Sequence, residues 1–418
     1  MSVQKFDGYR SAVGCFLCLF VNLGIGFTFG IFLPYLVEAT HSTLDACSLV
    51  LSIANIVAFL VSFAVPSVIK KLGCKGTLYM SVLIGVIYLL LAAFATNIWM
   101  LYLHGVFGGL FMAFGTATPI SIMVSKWFIK KRASILGMVI GGGAFGSAVM
   151  QYIAGFFCSN YSMRTAYLIL VAILVIVPLL ANTLLIRDPD KLGQKPLGWE
   201  ENVNVKDSGT EELPGVSLAQ AQKSASFWIL MFSIVLYGAL IASFQVFATT
   251  FWRATGMDGG TASSWLSVWS IVGCVATILF GQIANRWGNK AFVTGIFCCY
   301  AIGLAFASVF ASSHAIPLLL AMVLFGGIGY PLNTSMHSTI CTEAFGPKDY
   351  SKIVAWLGAA LFAGRAVASP LFTTVLNLVG GNYTMLYVIF TVLCVAAFVL
   401  VLISLAVSPY RKYLASRS

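Results

Sequence analysis

A chain of 418 residues, 60% of them hydrophobic and only 9% charged, cannot be clothed as a water-soluble domain, which carries about 45–50% apolar and about 25% charged residues. The mean hydropathy of +0.95 and the 32 Phe call for lipid against most of the surface. The net charge of +11 is no nucleic-acid footprint, because the cations are confined to short segments between apolar runs.

A hydrocarbon core about 30 Å thick takes roughly 20 apolar residues of helix. Runs of that length recur at 11–37, 46–69, 76–96, 98–124, 134–159 and 165–186. The first follows Lys5 and Arg10 and exceeds the ~7–15-residue core of a signal peptide, so it reads as a retained helix. A polar stretch from Arg187 to Lys223 holds more than half of the 13 acids. It reads as a flexible cytoplasmic linker, with a short helix along the membrane near Leu218–Lys223. Runs then resume at 225–252, 261–284, 291–312, 315–341, 351–377 and 383–408. The predicted fold is an all-α membrane protein of twelve transmembrane helices. Residues 1–186 and 225–418 form two pseudo-symmetric six-helix halves, and residues 187–224 link them. The 10 Cys lie mostly inside the runs and act as small hydrophobes. The spacing of Cys15 and Cys18 reads as packing.

Lys and Arg placement orients the chain. With the N-terminus in the cytoplasm, the 24 cations fall on the cytoplasmic side, except Arg164 and Arg253 outside and Arg365 within a helix. Both termini are expected in the cytoplasm, and the protein in the plasma (inner) membrane.

Two loops look like a repeat. Pro66-Ser-Val-Ile-Lys70-Lys71-Leu-Gly73-Cys-Lys75 joins the second and third runs, and Gly281-Gln-Ile-Ala-Asn285-Arg286-Trp-Gly288-Asn-Lys290 joins the eighth and ninth. Both resemble the G-x-x-x-D-R-x-G-R-R loop of the major facilitator superfamily, at the same place in each half. The resemblance implies that Lys70, Lys71, Asn285 and Arg286 serve the inner gate. The first copy departs from the pattern, with Pro66 for Gly and Lys70 for Asp. In the second, Asn285 stands for Asp.

A narrower resemblance lies in Lys126-Trp127-Phe128-Ile-Lys130-Lys131-Arg132, followed by Gly137, Gly141, Gly142, Gly143 and Gly146. A W-F-x-K-[KR]-R loop before a glycine-rich helix is similar to the monocarboxylate porter and oxalate:formate antiporter families. Asp7-Gly8-Tyr9 resembles the Asp-Gly start of monocarboxylate porters. Arg365-Ala-Val-Ala-Ser369 matches the [KR]-A-x-A-S context of the oxalate:formate family. That family's second basic residue, in the eighth helix, is replaced here by Thr277, which favours one carboxylate over two. Gly141, Gly143 and Gly146 also satisfy G-x-G-x-x-G, but without the preceding strand that a nucleotide site needs. The pairs Gly137/Gly141, Gly142/Gly146, Gly105/Gly109 and Gly26/Gly30 read as close helix packing.

Arg365 is the sharpest residue. It lies roughly 21 Å along its helix at 1.5 Å per residue, near mid-bilayer, where an Arg costs about 2.5–3.5 kcal/mol on insertion scales. No Asp or Glu lies mid-helix to pair with it. An anionic substrate is the expected partner, through a bidentate guanidinium–carboxylate contact. Other polar residues at membrane depth include Asn22, His104, Gln245, Tyr330, Asn333 and His337, with Gln151 toward the outer part of the fifth run. They are candidate substrate-binding residues of a cavity between the halves, although each alone is more often an interhelical hydrogen bond than a ligand.

The expected function is transport of a small organic anion, foremost a monocarboxylate, by alternating access. The alternatives are a neutral or aromatic solute, or a dicarboxylate taken by exchange, with Arg365 structural. Protons or a counter-anion are the candidate coupling partners, with His104 and His337 the titratable groups available. No acid cluster or Ser/His arrangement suggests an enzyme, and no cofactor or metal is expected. The lipid bilayer and the anion are the expected partners, and the functional unit is expected to be a monomer.

Overall fold

The computed structural model describes residues 6–128, 132–197, 215–346 and 348–411. Among these, twelve helices are long and apolar enough to cross a membrane. They are α1 (Gly8–Thr40), α2 (Leu44–Ser62), α3 (Val65–Ala93), α4 (Ile98–Trp127), α5 (Arg132–Asn160) and α6 (Met163–Leu185). After the linker come α7 (Ala225–Ala254), α8 (Gly259–Trp287), α9 (Asn289–Ser313), α10 (Ile316–Thr334), α11 (Tyr350–Leu378) and α12 (Tyr383–Ala406). The chain is an all-α, multi-pass membrane protein. Lipid leaves each backbone group to be satisfied within its own helix. The turns hand that task to small polar residues. Thr43, Asn97, Ser162, Ser224 and Asn382 each accept a hydrogen bond from a backbone N–H in the first turn of the helix that follows.

The chain divides into two compact units, residues 1–211 with 259–267, and residues 212–258 with 268–418. The pairing within each follows one pattern. In the first, α1 packs on α5 and α3 on α6; in the second, α7 packs on α11 and α9 on α12. Glycine makes the equivalent crossings close. A Cβ at Gly146 of α5 would collide with the Phe20 carbonyl of α1, and one at Gly364 of α11 with the Val235 carbonyl of α7. Small residues bring backbones together where lipid supplies no hydrophobic drive. Gly142, Gly105 and Gly109 are packed against neighbouring helices in the same way, whereas Gly137 and Gly141 face open space.

The repeated loops share a backbone feature. Gly73 has φ 73° and ψ 169°, and Gly288 has φ 87° and ψ 162°, a region open essentially to glycine alone. The segment before Gly73 is itself helical from Val65, so the expected loop is a helical turn ended by one glycine. Lys70, Lys71 and Arg286 are exposed; the side chain of Asn285 lies outside the described residues.

Three of the apolar runs read as continuous are broken. The α-helical hydrogen bonding of α1 lapses at Phe27–Thr28. That of α4 lapses at Thr116, with φ −116° and ψ −132°. In α10 the first segment ends at Ile328, a short turn runs Pro331–Thr334, and the helix resumes as Met336–Phe345. Pro119 and Pro331 follow the breaks in α4 and α10, as a residue without an N–H permits.

The expected flexible linker is ordered at both described ends. The Arg187 N–H donates to Ser11 Oγ at 3.0 Å, and Trp127 Nε1 donates to the Arg187 carbonyl at 2.8 Å. The Arg187 side chain pairs with Asp7 at 3.6 Å and Lys126 with Asp188 at 3.2 Å. Leu197 N–H donates to the Trp127 carbonyl at 2.9 Å. Phe6, just before Asp7, stands edge-on to Trp127 with centroids 5.5 Å apart. The Asp7-Gly8 and Trp127-Phe128 motifs therefore form one cradle for the start of the linker. Lys130 and Lys131 lie outside the described residues. At the other end, Leu218–Gln222 forms the expected short helix. Its Leu218 N–H donates to Asp349 Oδ2 at 2.9 Å, and Val216 N–H to the Phe345 carbonyl at 2.9 Å.

Candidate functional site

The break in α10 builds the polar centre of the second unit. Gly329 lies against the Tyr300 ring of α9, and Gly273 of α8 leaves room for Tyr330, whose ring sits 5.5 Å from that of Trp269. Pro331 then turns the chain so that Asn333, buried, faces α7 and α11. Asn333 Nδ2 donates to Gln245 Oε1 at 2.9 Å. Arg365 Nη2 donates to the Asn333 main-chain carbonyl at 2.6 Å and to its side-chain Oδ1. A discontinuous helix offers a backbone carbonyl to a side chain that a regular helix would keep to itself.

Arg365 reaches this place because α7 and α11 cross at Gly238 and Gly364. Ser243 Oγ donates to the Ala368 carbonyl at 2.8 Å across the same pair. The guanidinium carbon lies 5.7 Å from the Phe362 ring centroid. Tyr237, Tyr330 and His337 are within its electrostatic range. Within the bounds given above, α7–α12 contain no Asp or Glu; Glu343 lies in Met336–Phe345, where α10 resumes, and accepts from Asn289 Nδ2 at 3.5 Å.

The surrounding groups are rich in donors. Gln245 Nε2, Trp269 Nε1 and the Tyr237 hydroxyl are buried without a hydrogen-bond partner among the described residues, as is His337 Nδ1. Buried polar groups are nearly always paired; here Gln245 Nε2, Trp269 Nε1 and the Tyr237 hydroxyl can each donate, and His337 Nδ1 donates or accepts according to its tautomer.

Of the candidates from sequence, the structure brings Arg365, Asn333, Gln245, Tyr330 and His337 together. Asn22 and His104 belong to the first unit. Asn22 Nδ2 donates to the Gly115 carbonyl at 2.7 Å, at the break in α4. This parallels the side-chain donation to Asn333 at the break in α10. His104 is stacked on Tyr88 with centroids 4.1 Å apart, and its Nδ1 is 2.7 Å from the Tyr88 carbonyl. That is a packing position among α3, α4 and α6. Trp356, on the same helix as Arg365, is 43% exposed. Tyr237 and Trp269 were not marked by sequence, since an aromatic in an apolar run looks like any other until its polar atom is seen without a partner. Thr277, in place of the second cation, bonds the Gly273 carbonyl at 2.8 Å within its own helix.

Comparisons with known proteins agree with this architecture. The sequence profile described as Major Facilitator Superfamily matches residues 15–297 and 230–416. Monocarboxylate transporter 12 of Homo sapiens is 23% identical over 400 residues, covering 90% of this chain and 76% of that protein. Monocarboxylate transporter 2 of Rattus norvegicus is 24% identical over 317 residues, covering 72% and 63%. Monocarboxylate transporter 14 of Homo sapiens is 29% identical over 134 residues, covering 32% and 26%. The chain thus spans about a quarter of transporter 14 and under two thirds of transporter 2. The crystal structure of the nucleoside transporter NupG superposes with a TM-score of 0.69 at 17% identity, covering 95% of this chain and 98% of that one. At that identity the likeness speaks for the fold alone.

Proposed function

The chain belongs to the Major Facilitator Superfamily, and from that premise we propose that it carries a small organic anion, foremost a monocarboxylate, across the plasma membrane by alternating access. The observation that carries this reading is the Arg365 centre, a cation within a helix, with no Asp or Glu mid-helix in α7–α12, joined through Asn333 to Gln245, whose Nε2 lacks an acceptor among the described residues. A carboxylate supplies the missing charge and lone pairs together, and a guanidinium binds it bidentately. The named monocarboxylate transporters among the relatives support the same substrate class. Arg365, Asn333, Gln245, Tyr330 and His337 form the proposed site. Asn22 and His104, in the first unit, are proposed as further candidates there; each keeps a buried polar atom, Asn22 Oδ1 and His104 Nε2, without a partner among the described residues.

Lys70, Lys71, Asn285 and Arg286 remain the proposed gating residues. The Lys and Arg distribution supports cytoplasmic termini. A dicarboxylate fits less well, because a second charge would need a second cation and Thr277 supplies none. The second reading, a neutral or aromatic solute with Arg365 structural, draws on the hydrogen bonds that already hold Arg365 to Asn333.

A thermal-shift screen of the purified protein against acetate, lactate, pyruvate, benzoate and oxalate, with uptake of the best binder, separates the two. Arg365→Gln should abolish the stabilisation and lower uptake by about tenfold or more, the loss expected for a charged hydrogen bond. Arg365→Lys should lose most of it, since an ammonium cannot reproduce the fork. Uptake unchanged in both variants ends the anion reading. Repeating uptake under an imposed pH gradient separates proton symport from exchange or uniport.

A further inference from the structure

We infer that Tyr237 is a specificity-determining residue of the Arg365 site, its hydroxyl the second donor to the carboxylate. The inference rests on the anion reading above and adds a residue to it. Three observations carry it. The α7–α11 crossing at Gly238 and Gly364 sets Tyr237 and Arg365, each next to one of these glycines, on two helices in backbone contact. Tyr237 is fully buried, with its ring edge-on to Phe297 at 5.6 Å. Its hydroxyl has no partner among the described residues, although Arg365 is within electrostatic range.

A buried hydroxyl with no acceptor costs stability. Tyr167, Tyr300 and Tyr387 carry buried hydroxyls in the same condition; what distinguishes Tyr237 is its place at the α7–α11 crossing that also carries Arg365. Arg365 cannot satisfy the hydroxyl by donating and accepting both, because a guanidinium only donates. It can recruit a group that accepts from both. A carboxylate has about four lone-pair sites, enough for the guanidinium fork and one O–H. A carboxamide presents one oxygen and an N–H2 pair, so it satisfies one donor and opposes the other. The hydroxyl therefore sharpens the choice of carboxylate over its isosteric amide.

The test pairs stability with selectivity. Tyr237→Phe removes only the hydroxyl. The ligand-free protein should melt higher by about 1–3 °C, because an unpaired buried group is gone. The KM for lactate, or for whichever carboxylate of the panel stabilises most, should rise on the order of tenfold. Inhibition by the corresponding carboxamide should stay unchanged, so that discrimination falls. Tyr387→Phe, on α12 against Phe251, is the control: it should raise the melting temperature and leave KM alone. An unchanged KM in Tyr237→Phe overturns the inference, and so does a lower melting temperature, which would mean the hydroxyl already has a partner. If Arg365→Gln also leaves uptake intact, the anion reading itself falls; if Arg365→Gln is inactive while Tyr237→Phe is normal, only the role of Tyr237 does.

Discussion

Asn333 has its amide committed on both ends. Its oxygen and its main-chain carbonyl receive Arg365, and its nitrogen donates to Gln245. The chain of donation runs outward from the cation, so each link polarises the next and the last donor, Gln245 Nε2, is left without an acceptor. Substituting Asn333→Asp tests the arrangement. An acid there gives Arg365 a permanent counter-ion and should compete with any anionic substrate. Uptake should fall by about tenfold or more, while the melting temperature holds or rises. A variant that transports normally would show that Arg365 does not need its charge for the substrate. At this scale the sequence was informative for the polar side chains and Tyr330, and silent about the other aromatic ones. Arg365, Asn333, Gln245 and His337 stood out because polarity inside an apolar run is costly. Tyr237 and Trp269 did not, because only packing tells a used hydroxyl or indole N–H from a stranded one.

The elements were legible in number and imperfectly in form. Hydropathy counts residues against bilayer thickness, so twelve runs became twelve helices. It does not register a break of one or two residues, so the interruptions at Phe27–Thr28, Thr116 and Gly329–Tyr330 came only with the backbone. The glycine pairs show the same limit. Gly142/Gly146 and Gly105/Gly109 pack against neighbouring helices, but Gly137/Gly141, with the same spacing, do not. Spacing places residues on one face of a helix without saying what that face meets. The contrast gives opposite signs for one substitution. Gly146→Ala should destabilise the protein by about 1–3 kcal/mol, since Phe20 backbone must move. Gly137→Ala should stabilise it by about 0.4–1 kcal/mol through loss of unfolded-state freedom. Thermal unfolding in detergent reads both. Equal effects would mean that the α1–α5 crossing is looser than the structure has it.

The whole molecule repeats itself, and the repeat was partly visible. The two similar loops carry Gly73 and Gly288 in the same rare conformation, a match of backbone that Pro66 and Lys70 obscure in the sequence. The proposed orientation rests on charge alone and is open to direct labelling. On a background without reactive Cys, Thr255→Cys in the α7–α8 turn should react with an impermeant maleimide added to intact cells. Leu72→Cys, exposed beside Gly73, should react only after permeabilisation. The opposite pattern would invert the topology.

The cradle of Asp7, Trp127 and Arg187 joins motifs that lie far apart in the chain. Its ion pairs sit near the surface and each contributes at most about 1 kcal/mol, so their value is geometric: they fix where the linker leaves the first unit. The far anchor works alike. Donation from the Leu218 N–H, with Lys352 nearby, holds the Asp349 carboxyl below its ordinary value. That anchor is therefore in place above the usual carboxylate range and loosens as acid protonates it. In hereditary terms, residues 7, 127 and 187 form a single trait. A charge reversal at Asp7 is best matched by one at Arg187, so the N-terminal segment and the linker of this protein are expected to drift together rather than apart.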